Sequence, residues 1–198
     1  VKYANMIGTL TNNIQIKSGI ELMSDEMEYH RLGEQNWFVD VMDTETRFVV
    51  ASDYMKSRTI ENLTRVLKHG KFATGEQIKV ITTDGLKGYP RVLRKAFGVN
   101  NKFKINPKIQ HNIVIASERG FNHKIERLHN SIRDRTKIMR GFHGSLESAR
   151  AIMKGYEIYY NFVRKHQGIN GKTPSEEAIP ELILSTNKWL SLIKMSKT

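Results

Sequence analysis

Residues 21–54 read ELMSDEMEYHRLGEQNWFVDVMDTETRFVVASDY. In the first ten, Met23, Asp25, Met27 and Tyr29 alternate with Glu26, Glu28 and His30. That is the two-residue period of a strand with one covered face. RLGEQ then supplies a turn around Gly33, and NWFVDVMD reads as a second strand. TE is a tight turn, and TRFVVASDY is a third strand rich in β-branched and aromatic residues. Three strands joined by turns this short form an antiparallel meander.

Downstream, the period changes. SRTIENLTRVLKHG sets Ile60, Leu63, Val66 and Leu67 at helical spacing, with Gly70 as its stop. QIKVITTDG is a short strand running into a turn, and LKGYPRVLRKAFG is a helix closing at Gly98. A further strand is expected near KFKI, residues 102–105, followed by a loop. Ile125, Leu128, Ile132 and Met139 form the apolar stripe of a long helix. The next helix starts at Ser145 and buries Leu146, Ala149, Ile152, Met153, Tyr156, Tyr160 and Val163. KTPSEEA opens the last one, with Thr173 as cap, Pro174 at its first position and Glu176 completing a capping box.

The order β-β-β-α-β-α-β-α predicts an α/β fold. Its mixed sheet, three antiparallel strands followed by alternating units, is ribonuclease-H-like and flanked by helices. Residues 1–20 lack clear periodicity and read as a linker or the remnant of a preceding domain. Residues 21–178 form the core, and 179–198 a C-terminal helical tail.

Charge narrows the choice of partner. The chain of 198 residues carries a formal net charge of +12. Residues 119–172 hold 12 basic and 4 acidic groups, so +8 sits in about a quarter of the chain. A surface this basic attracts polyphosphate, nucleic acid above all, although a solvated basic face has the same composition. Cysteine is absent, which excludes disulfides and thiolate metal sites and fits a reducing compartment. No apolar run approaches the length of a membrane span.

Three carboxylates sit where a carboxylate is costly or exposed to a crevice. Asp25 shares its strand face with Met23, Met27 and Tyr29. Asp84 ends an apolar strand, and ligands in open α/β sheets collect beyond strand carboxyl ends. Glu126 lies in the most basic segment, on a helical face shared with Asn130, Arg133 and Lys137. Singly, each is explained as a hydrated strand end, an Asp-Gly turn or a surface ion pair. Jointly, on elements this fold sets side by side, they suit a hard divalent cation with oxygen ligands. A cation also makes an acid among bases favourable.

SDEMEYHRLGEQNWFVDVMDTETRFVVA, VITTDGLKGYP, NHKIERLHNSIRDRTKIMRGF and YYNFVRKHQGINGKTPSEEA resemble, in order, the blocks of insertion-sequence transposase cores of bacteria and archaea. Those cores belong to the DDE transposase and retroviral-integrase superfamily. The resemblance runs from about Glu21 to Ala178, with 59 residues from Asp25 to Asp84 and 42 from Asp84 to Glu126. It implies that Asp25, Asp84 and Glu126 are the catalytic, metal-holding carboxylates. It further implies Mg²⁺ or Mn²⁺ as cofactor, two ions per site, and DNA as partner, both element ends and target. Arg127, Asn130, Arg133, Lys137 and Arg140 become the DNA-binding set. Asp40, Asp43 and Asp53 are rival acids, discounted because the family places its first aspartate before the first turn. His111 matches a histidine that precedes the last helix.

The implied activity is metal-dependent phosphodiester hydrolysis and strand transfer in transposition. A homodimer is expected, because two ends are joined in concert, and so is a cytoplasmic location at a prokaryotic nucleoid. Such transposases carry an N-terminal helix-turn-helix that reads the element ends, and residues 1–20 show none. Two alternatives stay open: a ribonuclease-H-like nuclease that cuts without joining, and a non-catalytic DNA-binding protein derived from a transposase.

Overall fold

A computed structural model describes residues 1–99, 106, 108–114 and 123–197. Strands β1 (Glu21–Glu28), β2 (Trp37–Asp43) and β3 (Val49–Met55) form the expected meander, antiparallel throughout. Strands β4 (Val80–Thr83) and β5 (Gln110–Ile113) continue the sheet on the other side of β1, both parallel to it. The order is β3-β2-β1-β4-β5, that of a ribonuclease-H-like sheet. KFKI lies outside the described residues. The fifth strand stands where a loop was expected, because QHNI is short, polar and without alternation.

Both sheet faces are covered, which is why the six residues Phe38–Asp43 of β2 are all buried and show no period of two. One face packs Leu22, Val39, Val41 and Ala51 against helices α2 (Ile60–Thr74) and α3 (Tyr89–Phe97). The other packs Met27, Phe38, Met42 and Tyr54 against α4 (His123–Thr136) and α5 (Leu146–Ile158). Ile125, Leu128 and Ile132 of the predicted α4 stripe are buried. In α5, Ala149 and Met153 are buried, as is Tyr160 just beyond it, while Leu146, Ile152, Tyr156 and Val163 pack at the margins of the two cores. The short helix α6 (Pro174–Ala178) starts with the expected capping box between Thr173 and Glu176.

Three departures have local causes. The first 20 residues hold a helix, α1 (Lys2–Thr11), whose Ile7 is fully buried and which packs on α5 and on α7 (Lys188–Met195) in the tail. Gly70 does not end α2. A Cβ there would stand 3.2 Å from Val41 Cγ1 and 3.3 Å from Val50 Cγ2, so the glycine lets helix and sheet approach closely. The helix stops instead at Gly75, at φ 71°. Helix α4 ends at Thr136, and Lys137–Met139 tighten into a 3₁₀ turn. Chain reversal follows at Arg140 and Gly141, at φ 51° and 104°. Phe142 N–H then donates to the His30 carbonyl at 2.9 Å.

Candidate metal centre and nucleic-acid face

The parallel pairing of β1 with β4 brings the first two aspartates together. Ser24 is paired with Thr83, and the next residue on each strand is Asp25 and Asp84. β4 ends at Thr83, so Asp84 stands just past its end, beside Asp25 within β1, where this class of sheet leaves a crevice. One oxygen each from Asp25, Asp84 and Glu26 lie within 4.8 Å of one another. Asp25 Oδ1 accepts the Glu26 N–H at 2.8 Å, and Asp84 Oδ1 accepts the Leu86 N–H at 2.9 Å. The all-oxygen donor set suits a magnesium-like cation.

The charges are held against a cost. Burial pushes the Asp25 carboxyl up to about 6, with His129 opposing and Asp40 and Asp84 adding to the rise. Burial likewise pushes Glu26 up to about 7, against the nearby Tyr89 hydroxyl and Arg58, with Asp84 and Asp25 raising it further. Carboxylates crowded this way favour a cation among them.

Glu126 is half-buried in the first turn of α4 and is not one of the three clustered acids. Its helix is nevertheless anchored over β1 one turn later. His129 Nε2 donates to Asp40 Oδ1 at 2.7 Å, and its Nδ1 lies 3.6 Å from Asp25 Oδ2. Burial opposes the charged imidazolium, but Asp40 and Asp25 outweigh it and hold His129 above its ordinary range. Sequence reading missed His129, because a lone histidine on an apolar helix face reads as core. Its spacing three residues after Glu126, on the same helix face, was the available signal.

The rival acids have other partners. Asp40 is fully buried against His129. Asp43 closes the β2–β3 turn, accepting from Gly19 N–H, Thr46 N–H and Thr46 Oγ1 at 2.9, 2.8 and 2.6 Å. Asp53 pairs with Arg65 and Arg150. His111 sits on β5 with its Nε2 2.9 Å from Thr83 Oγ1, and burial lowers its pKa.

The five residues expected to meet DNA are all exposed. Arg127 and Asn130 line a shallow groove along α4 with Ser131, Asp134, Arg135 and Arg164. Arg133 donates to Asn130 Oδ1 at 3.4 Å. Lys137 lies on the 3₁₀ turn and Arg140 just after it, so the helical face expected for Lys137 ends before that residue. Two arginines outside the expected set join this surface. Arg164 donates to Ser131 Oγ, and Arg135 stacks on Tyr159 with its guanidinium 4.3 Å from the ring centre. Among the described residues no helix is long and apolar enough to cross a membrane.

The mixed five-stranded sheet, with Asp25 of β1 beside Asp84 just past β4, has a ribonuclease-H-like order. Residues 108–174 match the family described as the integrase core domain. That match spans about a third of the chain, and the fold of the described residues is the one seen in integrase catalytic cores. No curated protein matches the chain. Among solved structures, it is similar to a chain of the simian T-cell lymphotropic virus intasome in complex with the PP2A regulatory subunit B56 gamma. Identity is 13% and the TM-score 0.55, covering 82% of this chain and 55% of that one. The chain thus spans about half the length of that relative. It is also similar to the HTLV-2 integrase catalytic core domain in complex with magnesium. The dimeric form gives 13% identity and a TM-score of 0.53, covering 82% of this chain and 96% of that one. The trimeric form gives 14% and 0.54, covering 82% and 97%.

Proposed function

We propose that this chain is the catalytic core of a DNA transposase, with Asp25, Asp84 and Glu126 as its catalytic carboxylates. The single observation that carries the reading is the meeting of Asp25, within β1, and Asp84, just past the end of the parallel β4, in an integrase-type fold. Asp25 and Asp84 would hold Mg²⁺ or Mn²⁺ directly. Glu126 would join them from α4, whose position over β1 is fixed by the contact of His129 with Asp40 and Asp25. Bound as a pair, such ions activate an attacking oxygen and stabilise a leaving one.

The chemistry is two displacements at one site. Water attacks a phosphate at the element's end, breaking the P–O bond to the 3′ oxygen and releasing a 3′-hydroxyl. That hydroxyl then attacks a phosphate of target DNA, forming a new P–O bond while the P–O bond to the target's own 3′ oxygen breaks and leaves as a 3′-hydroxyl. Arg127, Asn130, Arg133, Lys137 and Arg140 hold the DNA backbone, as exposed donors on and just beyond the helix that carries Glu126. Two ends are joined in concert, so a homodimer is the working unit. The site of action is a prokaryotic nucleoid in the cytoplasm.

Asp84→Asn tests this reading. We expect loss of Mg²⁺-dependent nicking with DNA binding retained; nicking that persists defeats the assignment. Joining of pre-cleaved ends separates a transposase from a nuclease that only cuts. Absence of any metal-dependent thermal shift would favour a non-catalytic DNA-binding protein.

A further inference from the structure

We propose that Glu26 is a fourth carboxylate of the metal centre, holding a divalent cation together with Asp25 and Asp84. The inference rests on the functional reading above and adds a ligand that its triad does not contain.

Neighbouring strand residues point to opposite faces, so Asp25 and Glu26 should be kept apart by the sheet. They are not, because β4 stops at Thr83 and leaves the flank of β1 open at this point. Around that edge, oxygens of Asp25, Glu26 and Asp84 come within 4.8 Å of one another.

The state of Glu26 is the independent sign of a ligand. Its side chain is 1% exposed, and although the Tyr89 hydroxyl stands close enough to lower its pKa, neither carboxylate oxygen accepts a hydrogen bond of ordinary geometry. The Tyr89 hydroxyl is engaged 3.1 Å from Ser24 Oγ. The one ion pair of Glu26 among the described residues is with Arg58, at 3.8 Å. That guanidinium is itself stacked 3.9 Å over the ring of Trp37. Buried carboxylates are ordinarily met by several donors. One that lacks them and turns toward two further carboxylates has the surroundings of a cation ligand. The alternative makes Glu26 a counter-ion that holds Arg58 in place. The two roles predict opposite effects.

The experiment is Mn²⁺ titration of the full chain at pH 7.5, by calorimetry or by the free-ion electron-spin signal, with thermal melts in parallel. Glu26→Gln should weaken Mn²⁺ binding at least about tenfold. It should also raise the melting temperature of the metal-free protein, because a buried carboxylate crowded by two others is gone. Arg58→Ala should tighten Mn²⁺ binding, since a competing cation is removed. Unchanged Mn²⁺ affinity in Glu26→Gln overturns the inference. A metal-free Glu26→Gln that melts lower than wild type does so too, as does Arg58→Ala binding as weakly as Glu26→Gln. In each of these cases, loss of binding in Asp84→Asn leaves the transposase reading standing. A wild-type chain that binds no Mn²⁺ sinks both.

Discussion

His129 of α4 and Asp40 of β2 meet at 2.7 Å in the interior, and this pair ties the helix bearing Glu126 to the sheet bearing Asp25. Asp40 is the cross-strand partner of Asp25, so one imidazole touches both carboxylates of a single register position. The fold therefore places a buried ionic contact directly behind the proposed catalytic edge.

Removing one side of that pair strands the other without a partner. Asp40 is fully buried and His129 nearly so. Asp40→Ala is expected to cost about 3–5 kcal/mol, the usual penalty for breaking a buried ion pair from one side. Urea denaturation of wild type and variant measures it, and a loss below about 1 kcal/mol would show that the contact is not an ion pair.

Proton linkage gives the second expectation. Asp25 is raised to about 6 and Glu26 to about 7. The folded metal-free protein thus binds more protons than the unfolded chain between about pH 4 and 7, and loses stability as pH rises through that range. A divalent cation needs these groups ionised, so it restores most where they are deprotonated. The Mn²⁺-induced rise in melting temperature should be larger at pH 8 than at pH 5.5. Equal shifts at both would mean that the cation binds elsewhere.

Arg133 supplies the third. It is exposed on α4, and its only hydrogen bond among the described residues is a long one to Asn130. Arg133→Ala should weaken DNA binding and reduce the slope of log K against log salt by about one for each phosphate that the guanidinium neutralises. Titration at several salt concentrations reads the slope directly; an unchanged slope removes Arg133 from the interface.

The meander was legible because Met23, Met27 and Tyr29 alternate with charge, and Asp84 because it ends an apolar strand. Glu26 was not legible as a partner of Asp25. Period-two alternation assigns adjacent residues to opposite faces, and only the early end of β4 overrides it. Gly70 misled for a similar reason: a glycine that stops a helix and one that lets a helix approach a sheet look alike until the Val41 and Val50 side chains are in place. β5 gave no signal, since a short polar edge strand takes its conformation from its neighbour β4. Residues 1–20 hid α1 because only its small buried patch at Ile7 and Gly8 faces the core.

Asp25 and Asp84 are proposed to share a cation, with Glu126 completing the site. A crystal of the chain soaked in Mn²⁺ tests this most directly, by anomalous scattering. The expected result is a peak bridged by Asp25 and Asp84 oxygens, with the Glu126 carboxylate turned toward it. Manganese bound at other residues while the Asp25–Asp84 edge carries no peak would contradict it.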